Sequence, residues 1–312
     1  EQQRGVQLTV AAETARAYFL LRGAQHELAA RRAAVEATRE SARLVRIRYE
    51  AGEDSEAAVA ASDAELSALE ATLPQLKARQ RTAVLSLGVL LGGLPESELD
   101  LAEQKANYAA LAPIPVGERA DILRRRPDVR AAERLLAAAT DDLDVATAEL
   151  FPKIVFAGNA GFQSLETDNL FDTSSQIATL GLSISWHLFD GGRLRAQVHA
   201  NEARVHQAAI EYEKSVLAAL TDAESALARY DYGLQALDSQ GAAMTAAQQN
   251  YAFAEMRYKA GDISLLQLFD AERGLRNAED AYARTHTQAA TDLVALFKAL
   301  GGGWETGGVA EG

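Results

Sequence analysis

Two stretches of this chain follow the same pattern, and this repeat restricts the folds that the chain can adopt. Arg48-Tyr-Glu-Ala-Gly52 matches Arg257-Tyr-Lys-Ala-Gly261, and Leu91-Gly-Gly93 matches Leu300-Gly-Gly302. Both matches have one offset, since 257 − 48 = 209 and 300 − 91 = 209, so the segments between the motifs are equally long. Such self-similarity predicts one structural unit that is used twice.

The first copy has the composition of a helical hairpin. From about Val6 to Glu50 the chain is rich in Ala, Leu, Glu and Arg without proline, which favours one long helix. Gly52 is placed to end this helix and Ser55 to cap a return helix that runs to Leu91. Pro74 is expected to kink the return helix.

The second copy predicts a longer hairpin of the same kind. The 66 residues from Arg193 to Tyr258 contain no proline, which corresponds to a helix of roughly 100 Å. A return helix after Gly261 is expected to reach Leu300. Along it, coiled-coil packing is indicated by residues that recur every seven positions, namely Leu268, Leu275, Tyr282, Ala289 and Leu296.

Residues 153–163 and 180–189 alternate with period two and predict two strands, each with two different faces. One face is apolar, whereas Ser183, Ser185 and other small or polar side chains lie on the opposite face. Strands of about ten residues with this alternation, joined by a polar loop, fit a transmembrane β-barrel better than a soluble core. The residues predicted to face lipid are Ile154, Phe156, Phe162, Leu180, Leu182, Ile184 and Trp186, with Trp186 near a strand end, where aromatic belts lie.

The strand pair alone also fits a soluble helical protein that carries a β-hairpin. Two strands cannot close a barrel, and open strand edges are not tolerated in lipid, so further strands are required. The offset of 209 places their partners before residue 1. We therefore expect the chain to be an N-terminal truncation whose parent carries a second strand pair.

Composition excludes several classes of protein. The net charge is −13, and phosphate binding requires a basic surface, so nucleic acid is not expected as a partner. The densest basic segment, residues 123–128, is interpreted as a helix start with Pro127 in the first turn. The absence of cysteine excludes disulfides and cysteine zinc sites, no apolar run is long enough for a transmembrane helix, and no signal peptide is visible.

No residue pattern favours an enzyme, and no cofactor or metal is expected. His199, Glu202 and His206 could share a helix face, but two histidines and one carboxylate on a charged helix are more often solvated. The acidic cluster at 141–144 is interpreted as an exposed face. There is neither a glycine-rich phosphate loop nor a nucleophile elbow.

An ordered set of motifs resembles the TolC/OprM-type outer-membrane factors, and within them the lipoprotein branch often called NodT. The set consists of residues 123–139, 149–162, 185–198 and 297–304 together with the two Arg-Tyr-x-Ala-Gly turns. The resemblance implies a mainly α fold with a transmembrane β-hairpin. Long α-helical coiled-coil hairpins then form a trimeric α-barrel tunnel that is joined to a β-barrel.

The resemblance also implies a function. The chain is expected to be part of the outer-membrane exit duct of a tripartite efflux pump, which passively exports small molecules from the periplasm of a Gram-negative bacterium. Its implied partners are two further copies in a homotrimer, a periplasmic adaptor (membrane fusion) protein and an inner-membrane pump. A type I protein-secretion duct and a soluble coiled-coil scaffold remain alternatives; a scaffold would not depend on detergent.

The repeat, the strands and the resemblance together divide the chain into five segments. They are a first periplasmic hairpin at 1–93, a connector with short equatorial helices at 94–150, a transmembrane strand pair with an extracellular loop at 151–189, a second periplasmic hairpin at 190–303 and a disordered tail at 304–312.

Functional residues are carried over from the family position by position. The resemblance implies a periplasmic gate at Tyr258, Leu266 and Asp270. Ile263 and Gln267 depart from TolC, where arginine and a second aspartate are expected, so the resemblance does not extend to TolC-like salt links at the gate. It further implies that the adaptor docks at the hairpin tips, which are Ala51, Gly52, Glu53, Ala260, Gly261 and Asp262.

Overall fold

The structure is a computed structural model that describes residues 1–104, 107, 110–114, 123–165, 171 and 173–302. The expected tail at 304–312 lies outside the described residues, as does part of the connector. The helices are α1 (Gln2–Glu50), α2 (Glu56–Glu70), α3 (Leu73–Leu90), α4 (Pro127–Ala148), α5 (Arg193–Lys259) and α6 (Leu265–Ala299), and the strands are β1 (Lys153–Phe162) and β2 (Gln176–Ser185). The chain divides into two compact units, Glu1–Pro127 with Ala218–Gly312, and Asp128–Leu217.

The two predicted hairpin turns have the same hydrogen bonds. In the first, the Glu53 amide donates to the Arg48 carbonyl over 2.8 Å; in the second, the Asp262 amide donates to the Arg257 carbonyl over 2.9 Å. Gly52 and Gly261 both have φ +80°, a backbone conformation that residues with a Cβ rarely adopt. The offset of 209 therefore holds for the backbone as well as for the sequence.

The two return arms differ. Pro74 was predicted to kink the first arm, but the break is larger: α2 ends at Glu70, and α3 begins at Leu73 with Pro74 in its first turn. Proline lacks the N–H that would continue the helical hydrogen bonds, and its ring clashes with the backbone carbonyl one turn earlier. The second arm, α6, is one helix of 35 residues.

In the first unit, the core consists of small clusters between neighbouring helices. Leu21 of α1 packs with Val84 and Leu87 of α3. Tyr230 of α5 is fully buried near Leu296 of α6, and its hydroxyl donates to the Ala112 carbonyl over 2.8 Å. Alanines fill much of the remaining contact, which lets helices approach closely.

The basic segment before α4 forms a clamp on the second hairpin. Arg126 is buried, and its guanidinium donates to the carbonyl oxygens of Ala219 and Ala299 over 3.3 and 3.0 Å. It also pairs with Asp222 at 3.2 Å. The interpretation of residues 123–128 as a helix start agrees with α4, which begins at Pro127. The structure shows in addition that this segment contacts both α5 and α6.

A polar network lies between α1 and α6. Thr38 donates to Glu272 over 2.7 Å, and Arg276 pairs with Glu272 at 2.9 Å and with Glu65 of α2. Thr38, Glu272 and Arg276 are all buried. Further along the same helices, Arg31 pairs with Asp280.

In the second unit, β1 and β2 form an antiparallel pair in which Ile154 lies opposite Ile184 and Phe156 opposite Leu182. The predicted bounds of β2 are four residues too late, because the backbone pairing continues through Gln176–Thr179 although the alternation fails there. The strand ends opposite Lys153, since Pro152 cannot donate to a ladder. Trp186 therefore follows the strand and does not belong to it.

In the described part of the chain, no helix combines the length and the apolarity that crossing a membrane requires.

Candidate functional site

The strand pair exposes an apolar face. All twenty strand residues are exposed in the described chain, and β1 and β2 place most of their large side chains on one side of the ladder, with Val155 and Ile177 on the other. Phe156 is 70% exposed and Leu182 is 66% exposed, whereas core residues of this size are normally buried. The residues predicted to face lipid that lie in the strands share this face, which consists of Ile154, Phe156, Phe162, Leu180, Leu182 and Ile184.

The opposite face of the strand pair is formed mainly by small or polar side chains. Ser183 and Ser185 of β2 lie there opposite Val155 and Lys153 of β1. Trp186, just beyond β2, donates through its indole N–H to the Leu150 carbonyl over 3.1 Å. The strand pair is therefore amphipathic, with one apolar face and one mainly small or polar face.

The six residues predicted to dock an adaptor are all exposed in the described chain. They occupy the two turns, whose backbone geometry is the same. The positive φ at the glycines reverses the chain within a few residues, so each turn forms a short cap on its hairpin.

Of the predicted gate residues, Tyr258 is half-buried and contacts the other hairpin. Arg48 lies with its guanidinium carbon 5.5 Å from the centre of the Tyr258 ring and donates to the Tyr258 hydroxyl over 3.3 Å. Arg48 is itself held by Asp54 at 3.4 Å. Burial raises the pKa of Tyr258 above its ordinary value, although the positive charge of Arg48 opposes this rise; the negative charge of Asp54 adds to it.

Leu266 and Asp270 lie one helical turn apart on α6, away from Leu268 and Phe269, which are buried. The Leu266 side chain is 64% exposed and the Asp270 side chain 62% exposed. Asp270 pairs with Arg273. The structure thus brings Leu266 and Asp270 to one face and places Tyr258 at the turn that precedes them.

Sequence reasoning missed two residues of this region, Arg48 and Arg273. Arg48 begins the first Arg-Tyr-x-Ala-Gly motif, so its position was marked, but its contact with the other hairpin depends on packing between segments 210 residues apart. Arg273 follows Asp270 by three residues, a spacing at which opposite charges on a helix meet, and this signal was available.

The first hairpin has small residues at the positions that correspond to the predicted gate residues of the second. Subtracting 209 from Leu266, Asp270 and Arg273 gives Ala57, Ala61 and Ala64, all of which are exposed. The exposed face of α6 near the turn therefore differs from the equivalent face of α2 in size and charge.

The histidine cluster considered as a metal site is exposed. The Nδ1 atom of His199 lies 2.9 Å from a carboxylate oxygen of Glu202, and both side chains are largely in solvent. Among the residues that the structure describes, no three His, Asp or Glu side chains are grouped closely enough to hold a metal ion.

Comparison with known proteins identifies the family. The family model described as "Outer membrane efflux protein" matches residues 1–93 and 119–302. The solvent efflux pump outer membrane protein SrpC of Pseudomonas putida is 32% identical over 305 residues, which cover 97% of this chain and 64% of that protein. The pyoverdine export outer membrane protein OpmQ of Pseudomonas aeruginosa is 29% identical over 301 residues, 96% of this chain and 63% of that protein.

Solved structures share the fold. The outer-membrane channel OprN superimposes with a TM-score of 0.85 at 36% identity, over 96% of this chain and 68% of that chain. This chain therefore has the mainly helical fold of a solved outer-membrane channel, and it spans about 64% of the length of a curated relative that it matches. Since the family model covers well over half of its residues, the chain belongs to the outer membrane efflux protein family.

Proposed function

We propose that this chain supplies helical hairpins and a strand pair to the outer-membrane exit duct of a tripartite efflux pump, through which small molecules leave the periplasm passively. The observation that carries this proposal is the exposed apolar face of β1 and β2 in a protein whose other elements are mainly helices. Lipid would cover that face, and the helices would extend into the periplasm. SrpC is named for solvent efflux and OpmQ for pyoverdine export, and both names support export of small molecules over protein secretion.

The proposed duct is a homotrimer that works with a periplasmic adaptor and an inner-membrane pump. Two strands cannot close a barrel, and the further strands are proposed to come from the rest of each subunit and from two further copies around one axis. The adaptor is proposed to dock at the two hairpin tips, because both present exposed turns of the same geometry. The basic test is restoration of drug efflux in a strain that lacks its own exit duct, by the complete gene product that carries this chain.

The assignment of the strand faces can be tested by matched arginine substitutions. Leu182→Arg places a charge on the apolar face and should cost roughly 2–4 kcal/mol of barrel stability at mid-membrane depth. Ser183→Arg, one residue away on the polar face, should fold and narrow the lumen. Heat-modifiability gels of the complete gene product measure both, and equal behaviour of the two variants would show that the faces are wrongly assigned.

Asp270 and Leu266 are proposed to form the narrow periplasmic end of the duct, one copy per subunit. Three carboxylates that converge on an axis repel one another, by about 1 kcal/mol per pair at 4 Å in water and about 4 kcal/mol near a protein surface. Arg273, which pairs with Asp270, offsets part of this repulsion in each copy. The ring would favour cations over anions, while Leu266 would narrow the pore one turn away.

Single-channel recording of the complete gene product tests this gate. Asp270→Ala should raise conductance and reduce block by divalent or trivalent cations that are added from the periplasmic side. Ala61→Asp, at the equivalent position of the first hairpin, serves as the matched variant and should leave the Asp270-dependent block in place. Identical conductance and identical cation block in Asp270→Ala would place the aperture elsewhere.

A further inference from the structure

A cavity lies in the first unit between α1, α6 and Asn107 of the connector. Its volume is about 140 Å³, well above the ~10–15 Å³ that one ordered water molecule needs. The residues that line it include none of the predicted lipid-facing, docking or gate residues. The side chains that give the cavity its chemical character are Tyr18, Phe19, Arg22, His26, Asn107 and His286.

The charge of this cavity is opposite to that of the chain. The whole sequence has 44 acidic and 31 basic side chains, so carboxylates outnumber cations. Among the described residues that line the cavity, none is Asp or Glu, whereas Arg22, His26 and His286 can all carry a positive charge. Imidazoles are common metal ligands, but a permanently charged guanidinium beside them disfavours a metal cation and favours an anion.

Arg22 is held at the cavity by two contacts. Its guanidinium carbon lies 4.9 Å from the centre of the Tyr18 ring, and its Nη1 donates to the Gln25 side chain over 3.0 Å. Gln25 is buried and donates in turn to the Leu101 carbonyl of the connector over 2.6 Å. A guanidinium has five N–H donors in a fixed fork, and the hydrogen bond to Gln25 uses one of them. The cation is therefore pre-positioned, in a geometry that suits an anion with two or more oxygen atoms.

Two histidines line the cavity from different helices. His26 lies on α1, one turn after Arg22, and His286 lies on α6, where it is 7% exposed. Burial lowers the pKa of His26; a hydrogen bond with the Asn107 backbone opposes this fall, and the positive charges of His286 and Arg22 add to it. The other titratable group on this part of α1 is Tyr18. A pKa below the ordinary value of about 6.5 leaves His26 neutral at neutral pH, and the negative charge of a bound anion would favour the imidazolium.

We propose that this cavity binds a small oxyanion, such as sulfate, phosphate or a short carboxylate, through Arg22, His26 and His286. The Arg22 fork holds two oxygen atoms of the anion, and the imidazoles donate to it from the two sides. The anion is then a common counter-ion for α1 and α6, so it ties the first repeat to the second. This site does not depend on the exit duct of the proposed function.

Anion and proton binding are linked at this site. The pKa of His26 is higher with the anion bound than without it, so binding takes up a proton and strengthens as pH falls. Sulfate is a suitable probe, because its own charge does not change between about pH 5 and 8, where histidine titrates. Isothermal titration calorimetry of the complete gene product in detergent should show a sulfate affinity that rises by up to about tenfold per pH unit for one linked proton.

Substitutions in the cavity separate the roles of its cations. The double variant His26→Gln with His286→Gln should bind sulfate at least about tenfold more weakly and lose the pH dependence, since it removes the groups that titrate. Arg22→Gln should also bind more weakly but keep the pH dependence. His206→Gln is the matched control, because His206 is an exposed histidine of α5 outside the cavity, and it should change neither quantity.

Histidine NMR tests the site without a substitution in the cavity. In the wild-type protein with labelled histidines, sulfate should shift two imidazole signals that chloride at equal ionic strength leaves in place, and the His206 signal should not move. Equal sulfate affinity in the wild type and the double variant, or an affinity independent of pH, overturns the proposal. Zinc binding that the double variant loses, without sulfate binding in the wild type, would show a metal site instead.

Discussion

The two helical hairpins share a turn and differ in the arm that follows it. Both turns have a glycine at φ +80° and the same three backbone hydrogen bonds. After the turn, the first arm is interrupted between Glu70 and Leu73, whereas the second arm continues as one helix. The exposed face near the turn consists of alanines in the first arm and of Leu266, Asp270 and Arg273 in the second.

The two copies of the repeat thus share the backbone of the turn and differ in the side chains of the return arm. Both hairpins keep the same turn backbone, with a glycine at positive φ. The side chains of the return arms diverged, so that buried charges and the proposed gate belong to the second arm. We expect changes in α6 to affect stability and gating, and equivalent changes in α2 to affect neither strongly.

The largest expected effect is a difference between the two return arms in how much a substitution lowers the free energy of unfolding. Arg276→Ala removes the cation between Glu272 and Glu65 and leaves a buried carboxylate without its charge partner, which should cost roughly 3–5 kcal/mol. Ser67→Ala, at the equivalent position of the first arm, is exposed and should change stability by less than about 0.5 kcal/mol. Denaturant unfolding of the purified protein in detergent measures both; similar losses in the two variants would show that the arms do not differ here.

The two turns themselves should respond alike. Gly52→Val and Gly261→Val each force a β-branched residue into positive φ, at a cost of at least about 1–2 kcal/mol. Trimers should still reach the outer membrane, while adaptor crosslinking and drug resistance weaken. Resistance that is unchanged in the double variant would remove the docking role of the tips, and a large difference between the single variants would show that the turns are not equivalent in function.

The smallest expected effect concerns the first turn of each return arm. The Ser264 hydroxyl accepts a hydrogen bond from the backbone amide of Gln267, and the Gln267 side chain accepts one from the backbone amide of Ser264. In the described structure the Ser55 hydroxyl accepts a hydrogen bond from the Ala58 amide alone, without a reciprocal bond. Ser264→Ala should therefore destabilise its helix start by about 1 kcal/mol or more, and Ser55→Ala by about half as much. Amide hydrogen exchange in the first turns of α6 and α2 compares them, and the reverse order would contradict this explanation.

Local patterns in the sequence predict much of this fold. The glycine turns, the serine caps and the long helices depend on residues close in the chain, so α1, α5 and α6 are found near their predicted bounds. The break at Pro74 was placed correctly but understated. The start of β2 was missed, because backbone pairing extends past the point where side-chain alternation stops.

Contacts between distant segments could not be predicted in the same way. The polar network joins residues of three helices, α1, α2 and α6, namely Thr38, Glu65, Glu272 and Arg276. Their spacing along the chain does not predict that these side chains are in contact. The clamp formed by Arg126 likewise requires the ends of α5 and α6 to be adjacent. The solvent exposure of the predicted lipid-facing and docking residues is compatible with their predicted roles. These roles, and that of the gate residues, stay predictions.

The open edges of the strand pair have a consequence for genetics. Each strand of the pair has one hydrogen-bonded edge and one edge without a partner strand in the described chain. In the proposed trimer a defective strand pair in one copy would leave the strands on both sides of it with unpaired edges, which hydrocarbon does not tolerate. With equal expression of defective and intact copies, roughly one trimer in eight would contain intact copies alone. Lesions in β1 or β2 should therefore be dominant, because the damage is shared by every copy in the ring.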